Sequence, residues 1–582
     1  YYKKLIIEVF MRLSPLTQAV ALMTATLLLT ACGDDSETST AIIDGTPPLL
    51  TTDSNFTSGY SATAAVFVSG QVQDNSSGIK SLTYKRNDGL AQPLRVDSDG
   101  YFDDRILLGL GENKVTLEAT DNADNIMRLT KTIYVGDTIA AGGSHTAAIR
   151  DIKINDGKVD SSQLYGWGRN NFGQTGSNYT STLADSMGHP ETPMQINNAP
   201  KNLVSIKFNQ NHSLAIAQDG HVYSWGEDKT GQLGLGDNGR VDCTKSKNDC
   251  RLEMGVIAGI EKAVMIAAGY SHNLVLTEDN SVWAFGANGQ GQLGNAQITA
   301  SHSSAPVKVD FSAATGIGHI IQVVASSNSS YALDDKGQVW GWGSDAYANF
   351  GRGQECNKAN NCININPIPI LIDVLATKQY AATADVNTSY ALKTADEIAV
   401  VEKVTQLAAG RDHVLALTNK ESVYGWGLNA SSQIGYNGIG FKNTANAWAS
   451  TITTPTKLPW FTGKDVRRVY ANGNASYVLL DNGKVYPWGM FGETNGAGKT
   501  VYNDLNEPTD TLPSLNNIDN MAMGTMHLIA QEKPDSQDNS RRFENGHLFT
   551  WGWSFEGSLG NSNAAPTWMY NYPIPIILPS QS

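Results

Sequence analysis

Residues Gly220–Gly234 read GHVYSWGEDKTGQLG. A strand-like run ends in Trp225-Gly226, a polar turn follows, and Gln232-Leu233-Gly234 closes the segment. The pattern returns down the chain. Its aromatic-glycine dipeptides are Trp167-Gly168, Trp225-Gly226, Phe285-Gly286, Trp342-Gly343, Trp426-Gly427, Trp488-Gly489 and Trp551-Gly552. Successive separations are 58, 60, 57, 84, 62 and 63 residues. A period above fifty exceeds one helical hairpin and suits one multi-strand sheet per repeat, which predicts a β-propeller. The long fourth interval places an insertion within Leu375–Val401.

Each copy repeats an internal order. A small-residue turn and strand come first, as in Ala267–Leu276 (AAGYSHNLVL). A turn such as Asp219-Gly220 or Asn482-Gly483 follows, then a second strand ending in the aromatic-glycine pair. Asp-Gly between apolar alternations signals a hairpin, because glycine accepts the positive φ of the turn. Trp167, Trp225, Phe285, Trp342, Trp426, Trp488 and Trp551 are the expected blade-core residues, large enough to fill the space between neighbouring sheets.

The repeat resembles the regulator of chromosome condensation family, whose pattern is G-x-x-H-[ST]-x-x-L followed by D-G-x-V-[WY]-x-W-G-x-N-x-x-G-Q-L-G. Blade two reads NQNHSLAI and DGHVYSWGEDKTGQLG, blade three GYSHNLVL and NSVWAFGANGQGQLG, blade five GRDHVLAL and ESVYGWGLNASSQIG. The resemblance covers about 440 residues and implies a seven-bladed propeller, the number counted here.

The motif histidines are His145, His212, His272, His413 and His527, while Ser329 and Ala475 stand in their place in blades four and six. Metal ligands must converge within a small sphere. One histidine per blade does not, so each is expected to hydrogen-bond backbone within its own blade, with no metal and no cofactor. From His145 to Trp167 and from His527 to Trp551 the hairpins are longer, through Asp151–Ser162 and Glu532–Glu544. Inserts on a regular scaffold are expected partner-contact sites.

Residues 47–136 do not repeat. The runs Ala65–Val72 and Lys114–Ala119 alternate, and turn signals stand at Asp74–Gly78, Asn87–Gly89 and Asp97–Gly100. Short strands with frequent turns predict a small β-sandwich. Leu108–Asn125 (LGLGENKVTLEATDNADN) is similar to bacterial immunoglobulin-like domains, with Asp124 where their pattern prefers Gly. Carboxylates cluster in Asp97–Asp104 (DSDGYFDD), but without the spacing of a dedicated calcium loop; a solvated turn is the expectation.

Ahead of the sandwich, Met11 and Arg12 open a segment whose apolar run, Ala19–Ala31, suits a signal-peptide core. It ends in Leu29-Thr30-Ala31-Cys32, which resembles the bacterial lipoprotein signal and implies lipidation of Cys32. Gly33 is not the Asp of inner-membrane retention, which implies an outer-membrane or cell-surface address. The expected organisation is an upstream artefact at 1–10, a signal peptide at 11–31, a polar acidic tether at 32–46, the sandwich at 47–136 and the propeller at 137–582.

Beyond Cys32 the cysteines fall into two local pairs, Cys243/Cys250 and Cys356/Cys362, each in a loop after a blade's Gln-Leu-Gly position. The spacing is wider than a zinc C-x₂₋₄-C, and an exported chain meets oxidising conditions, so two loop disulfides are expected. There is no G-x-S-x-G, phosphate-binding loop or H-E-x-x-H. A net charge of −14 disfavours nucleic acid as a partner.

The resulting expectation is a non-enzymatic, surface-anchored, monomeric protein, held to the membrane by lipid, that binds another protein through a propeller face. The alternatives are a polysaccharide- or peptide-acting hydrolase with its site in the central channel, and an inhibitor of a secreted enzyme. The ring itself is expected to close through the C-terminal strand Tyr572–Pro579, paired into the first blade.

Overall fold

The computed structural model describes residues 44–53, 56–153, 159–177, 189–243, 249–353, 364–375, 402–435, 451–490, 517–525, 527–533, 548–561 and 569–579. The leader and Cys32, Cys356, Cys362 and the insertion at 376–401 lie outside these residues, as do most of the long hairpin tips, 154–158 and 534–547. Residues 47–582 form one compact unit, almost wholly of β-strands.

The sandwich has a three-stranded sheet, ordered Leu49–Thr52, Ala65–Gln73, Tyr101–Leu107. Opposite it lies a five-stranded sheet, ordered Gly59–Ser61, Ile126–Val135, Gly111–Asp121, Ile79–Arg86, Gln92–Pro93. Alternation explains the packing. In Gly111–Asp121, Val115, Leu117 and Ala119 point inward and are fully buried, against Val68, Phe102 and Ile106 of the other sheet. The acids of Asp97–Asp104 turn to separate partners. Asp97 Oδ1 accepts the N–H groups of Asp99 and Tyr101, Asp104 Oδ1 that of Arg105, and Asp103 pairs with Lys403 at 3.0 Å.

Seven sheets follow. In blade two the order is Leu203–Asn209 (inner), His212–Ala217 (histidine strand), Val222–Glu227 (tryptophan strand) and Cys250–Val256 (outer). The other blades follow the same plan, from Ile139–Ala141 innermost in blade one to Met569–Ile576 outermost in blade seven; blade six has three strands among the described residues. Register is constant. Each motif histidine faces the glycine of its aromatic-glycine pair, as His212 faces Gly226 and His527 faces Gly552. That glycine is required. Gly226 has φ +101°, and a Cβ there would lie 2.6 Å from the Asn211 carbonyl oxygen.

The expected closure is wrong. Met569–Ile576 pairs with Leu548–Trp553 and completes the seventh blade, not the first. Blade one has its own inner strand, Ile139–Ala141, and its own outer strand, Met194–Gln195. The proline-bearing strands belong to the blade they follow, not to the blade they precede: His302–Lys308, with Pro306, pairs with the tryptophan strand of blade three. An outer strand has a free edge, where a missing N–H is tolerated, and this is why proline collects there. The ring therefore closes by packing. Ile139, Ala148 and Trp167 meet Ile529, Leu548, Ile576 and Leu578 in one apolar cluster. Arg150 spans the same seam, donating to the carbonyls of Leu578 (3.1 Å) and Pro579 (2.5 Å).

The histidines bond across blades, not within them. Their Nε2 atoms reach the side chain that follows the histidine position in the next blade: His145 to Ser213 (3.2 Å), His212 to Asn273 (2.9 Å), His272 to Ser330 (2.8 Å), His413 to Ser476 (2.8 Å) and His527 to Thr146 (2.6 Å). Each of those side chains also donates to a turn carbonyl of the preceding blade, as Ser213 does to Gln174 and Thr146 to Ser558. The tryptophan indole N–H often shares that acceptor: Trp225 to Gln174, Trp342 to Gln292 and Trp167 to Ser558, each at 3.0 Å. Where the histidine is missing, its partner is missing too. Ser329 is followed in the next blade by Val414, and Ala475 by Leu528. Losing one buried partner is costly and losing both is nearly neutral, which accounts for the paired replacement.

Candidate interaction face and central channel

The inner strands enclose a channel, and its two ends differ. One end is covered by the sandwich. Ala64 N–H donates to Ile321 O at 2.8 Å, and Tyr134 Oη to Val204 O at 2.9 Å. Tyr60 and Thr138 share a hydroxyl hydrogen bond of 2.8 Å. Ala65 and Phe67 enter the same apolar cluster as Ile321, Leu333 and Val404. Arg105 forms an ion pair with Asp335, and Lys403, bonded to Asp103, lies 4.7 Å from the Phe67 ring centre. The sandwich is thus part of the propeller's packing. Ser61 and Ala62 line the bottom of a channel cavity of about 180 Å³.

The other end is open, and a belt of hydrogen bonds runs round it. Turn N–H groups donate to the turn of the next blade: Gly143 to Gln210, Tyr270 to Ser326, Ser327 to Arg411, Arg411 to Gly473 and Thr525 to Gly142. The two remaining steps use side chains, Asn209 Nδ2 to Ala268 O (2.9 Å) and Asn472 Nδ2 to Met523 O (2.5 Å). Those two turns are tight, with Gln210 at φ 28° and Gly473 at φ 50°. Deeper in the channel, Gln322 holds both backbone groups of Leu407, and Gln406 both of Val469, at 2.7–3.1 Å. The mouth is therefore a rigid rim.

Antiparallel order sends every tryptophan-strand exit to this open end. The described parts of the loops after Gln-Leu-Gly start there. In blade two the loop is fixed from below by Asp228, wholly buried, which accepts from Arg240 (2.7 Å) and Arg251 (3.2 Å). Cys243 and Cys250 are joined by a disulfide, with Cα atoms 6.0 Å apart. Asp249 lies beside them, its Oδ1 accepting the Cys243 N–H at 2.9 Å. With the sulfurs joined, neither is a thiolate ligand, so the cluster offers a metal a single carboxylate. Val241, Tyr347 and Ile365 are exposed apolar residues of these loops and of the adjoining strand start.

The expected site residues divide cleanly. Trp167, Trp225, Phe285, Trp342, Trp426, Trp488 and Trp551 are all fully buried between sheets. The five motif histidines are also fully buried, and burial holds them neutral: His212 is pushed down to about 4, and His272, His413 and His527 to about 3. None of them lines the channel cavity. Sequence reasoning missed the buried Asp228–Arg240–Arg251 anchor and the rim belt. The first had a signal, an acid in the polar turn and two arginines flanking the cysteines; the second rests on backbone groups.

The architecture is that of a seven-bladed propeller carrying an immunoglobulin-like sandwich. The RCC1-like domain model matches residues 247–580, more than half of the sequence, and the chain belongs to that family. Regulator of chromosome condensation repeats match at 161–216 and 203–232, and domain B of glucodextranase at 48–136. Human protein RCC2 is 26% identical over 286 residues, covering 48% of this chain and 48% of RCC2. The Danio rerio RCC2 homolog is 26% identical over 287 residues, 48% of this chain and 50% of its own. The chain thus spans about half the length of these relatives. The ultraviolet-B receptor UVR8 of Arabidopsis thaliana is 24% identical over 427 residues, covering 72% of this chain and 78% of UVR8. Among solved structures, Prp20p from Saccharomyces cerevisiae, described with its binding to Gsp1p and histones, aligns with a TM-score of 0.52 at 19% identity, covering 73% of this chain and 90% of Prp20p. Yeast RCC1 (Prp20) bound to Kap60 gives 0.52 and 19%, covering 71% and 83%.

Proposed function

We propose that this chain is a non-enzymatic binding protein that engages another protein through the open face of the propeller, as a monomer anchored to a bacterial outer membrane or cell surface by lipid on Cys32. One observation carries the reading of the face: the sandwich occupies one end of the ring, and the rigid rim and the disulfide-stapled loop of blade two lie at the other. Binding of partner proteins by related propellers, named in the yeast RCC1 and Prp20p structures, supports it. A histidine-dependent hydrolase in the channel has no histidine to use there among the described residues.

The test is a capture experiment from intact cells with residues 47–582, comparing wild type with Val241→Asp/Tyr347→Asp on the open face and with Leu90→Asp on the sandwich. Loss of the captured protein in the open-face variant alone supports the reading. Loss in Leu90→Asp with retention in the other overturns it. The anchor is tested separately: the full chain partitions into detergent and Cys32→Ala does not, whereas equal partitioning refutes lipidation.

A further inference from the structure

We propose that Asn238 is a self-modifying site, converting in the folded protein to aspartate and isoaspartate. The inference goes beyond the open-face reading and does not depend on it. Asparagine precedes glycine at Asn238-Gly239, Asn288-Gly289, Asn472-Gly473 and Asn482-Gly483, and at three further pairs, 437–438, 495–496 and 545–546, outside the described residues. Glycine has no side chain to shield its backbone nitrogen, so that nitrogen can reach the amide carbon of the preceding asparagine. The reaction needs only water. The Gly239 nitrogen adds to Asn238 Cγ and a C–N bond forms. The side-chain nitrogen leaves as ammonia, taking the proton of the Gly239 N–H. The resulting succinimide takes up water at either carbonyl and opens to an aspartyl or an isoaspartyl residue.

Structure decides which pair reacts, because the side chain must turn onto its own backbone. Asn288 is buried; its Oδ1 accepts the Leu293 N–H at 3.2 Å, and its Nδ2 donates to the carbonyls of Ile298 (2.9 Å) and Ala300 (3.1 Å). Asn472 Nδ2 holds the Met523 carbonyl at 2.5 Å, and its Oδ1 accepts the Gly473 N–H at 2.7 Å. Asn482 is exposed, but its Oδ1 accepts the Lys484 N–H at 3.0 Å and the Gly483 N–H donates to Leu480 O at 2.9 Å. Asn238 has none of these restraints. It and Gly239 are both exposed, and neither the Asn238 amide nor the Gly239 N–H makes a hydrogen bond.

Its position gives the conversion a consequence. On one side, the Gly236 N–H donates to Ser304 O and Asp237 Oδ1 accepts from Ser304 Oγ, both at 2.7 Å, which ties the segment to the outer strand of blade three. On the other side, Arg240 is held by buried Asp228 at 2.7 Å. An isoaspartate lengthens the backbone between these two fixed points, and either product adds a negative charge beside Asp237. The conversion therefore acts on the join between blades two and three.

The purified full chain is aged at mildly alkaline pH in water enriched in oxygen-18, digested in ordinary water and mapped by mass spectrometry. Label uptake and isoaspartate are expected in the peptide carrying Asn238. Its rate should exceed those of Asn288, Asn472 and Asn482 by at least about tenfold, since each of these must first break hydrogen bonds. The same incubation in denaturant should bring the four rates together. Asn238→Gln, whose longer side chain closes the larger ring slowly, should leave its peptide unlabelled. An intact Asn238 in the native chain, or four pairs converting alike there, overturns the site. So does protection of the other three in denaturant, which places the cause outside the fold. Labelling of Asn238→Gln at the wild-type rate overturns the ring mechanism.

Discussion

His527 Nε2 lies 2.6 Å from Thr146 Oγ1, joining the last blade to the first. The same contact recurs at four other blade boundaries, with serine or asparagine in the threonine's place. Ring closure therefore uses the bond that already holds the ring elsewhere.

Thr146→Val should lower stability by about 2–3 kcal/mol, because His527 and the Ser558 carbonyl both lose a buried partner. Thr146→Ser should be close to wild type. The double variant His527→Ala/Thr146→Val should cost less than the sum of its parts. The chain already carries a similar replacement at Ala475 and Leu528. Denaturant unfolding of the four proteins measures the coupling; strict additivity contradicts the assigned contact.

Removing residues 577–582 takes away buried Leu578 and both carbonyls that Arg150 holds, but leaves the outer strand of blade seven intact. A loss of about 2–4 kcal/mol is expected from apolar burial and charge-assisted bonds. Arg150→Ala in the truncated background should add little. A full additional penalty there shows that Arg150 works elsewhere.

Acid should unfold the ring. An unfolded imidazole titrates near 6.5, whereas His272, His413 and His527 titrate at about 3 and His212 at about 4 in the fold, with His145 also well below its usual value. The folded values are depressed, so stability is full above pH 6.5 and falls as pH drops towards 3. His212, His272, His413 and His527 each lose about 2 kcal/mol by pH 5. Glu227, Asp345, Asp412, Asp481 and Glu556 are raised by burial and oppose this, but their shifts are smaller than those of the wholly buried histidines. A melting temperature flat from pH 7 to pH 4.5 contradicts the shifts.

Sandwich and propeller should melt together. Phe67→Ala hollows the cluster they share and should cost about 3–5 kcal/mol. Calorimetry should show one transition, moved as a whole. Two transitions, with only the smaller one moved, mean that the sandwich unfolds independently.

Reduction of Cys243–Cys250 should cost about 2–3 kcal/mol by the loop-entropy relation. Peptide mapping without reductant tests both this link and the proposed Cys356–Cys362 link; crossed pairing rejects the loop assignment.

Blade number and the burial of Trp225 and its equivalents were legible in the sequence because each copy repeats the same local pattern. Strand ownership was not. A proline-bearing strand sits between two tryptophan strands, and sequence order alone assigns it to neither; the pairing of Gly286 with Ser303 does. The histidine partner was readable but misread. The alternation of His and Ser/Thr/Asn with Ala475/Leu528 and Ser329/Val414 is a covariation within one chain, visible once adjacent copies are compared diagonally. Sandwich docking left a fainter trace: Ala65-Val66-Phe67-Val68 is apolar at every position, which fits a strand buried on both faces, Val66 and Val68 in the sandwich and Ala65 and Phe67 against the propeller. Arg468 and Tyr470 occupy an inner strand where alternation alone cannot say what lines the channel.

Each described four-stranded blade is built from consecutive residues, with no strand borrowed across the seam. Such a ring is modular in the genetic sense. A cut or duplication between an outer strand and the next inner strand moves a complete sheet, so copy number can change by a single in-frame event. What must then be repaired is side-chain packing and a few hydrogen bonds at the new junction, not the pairing of a sheet.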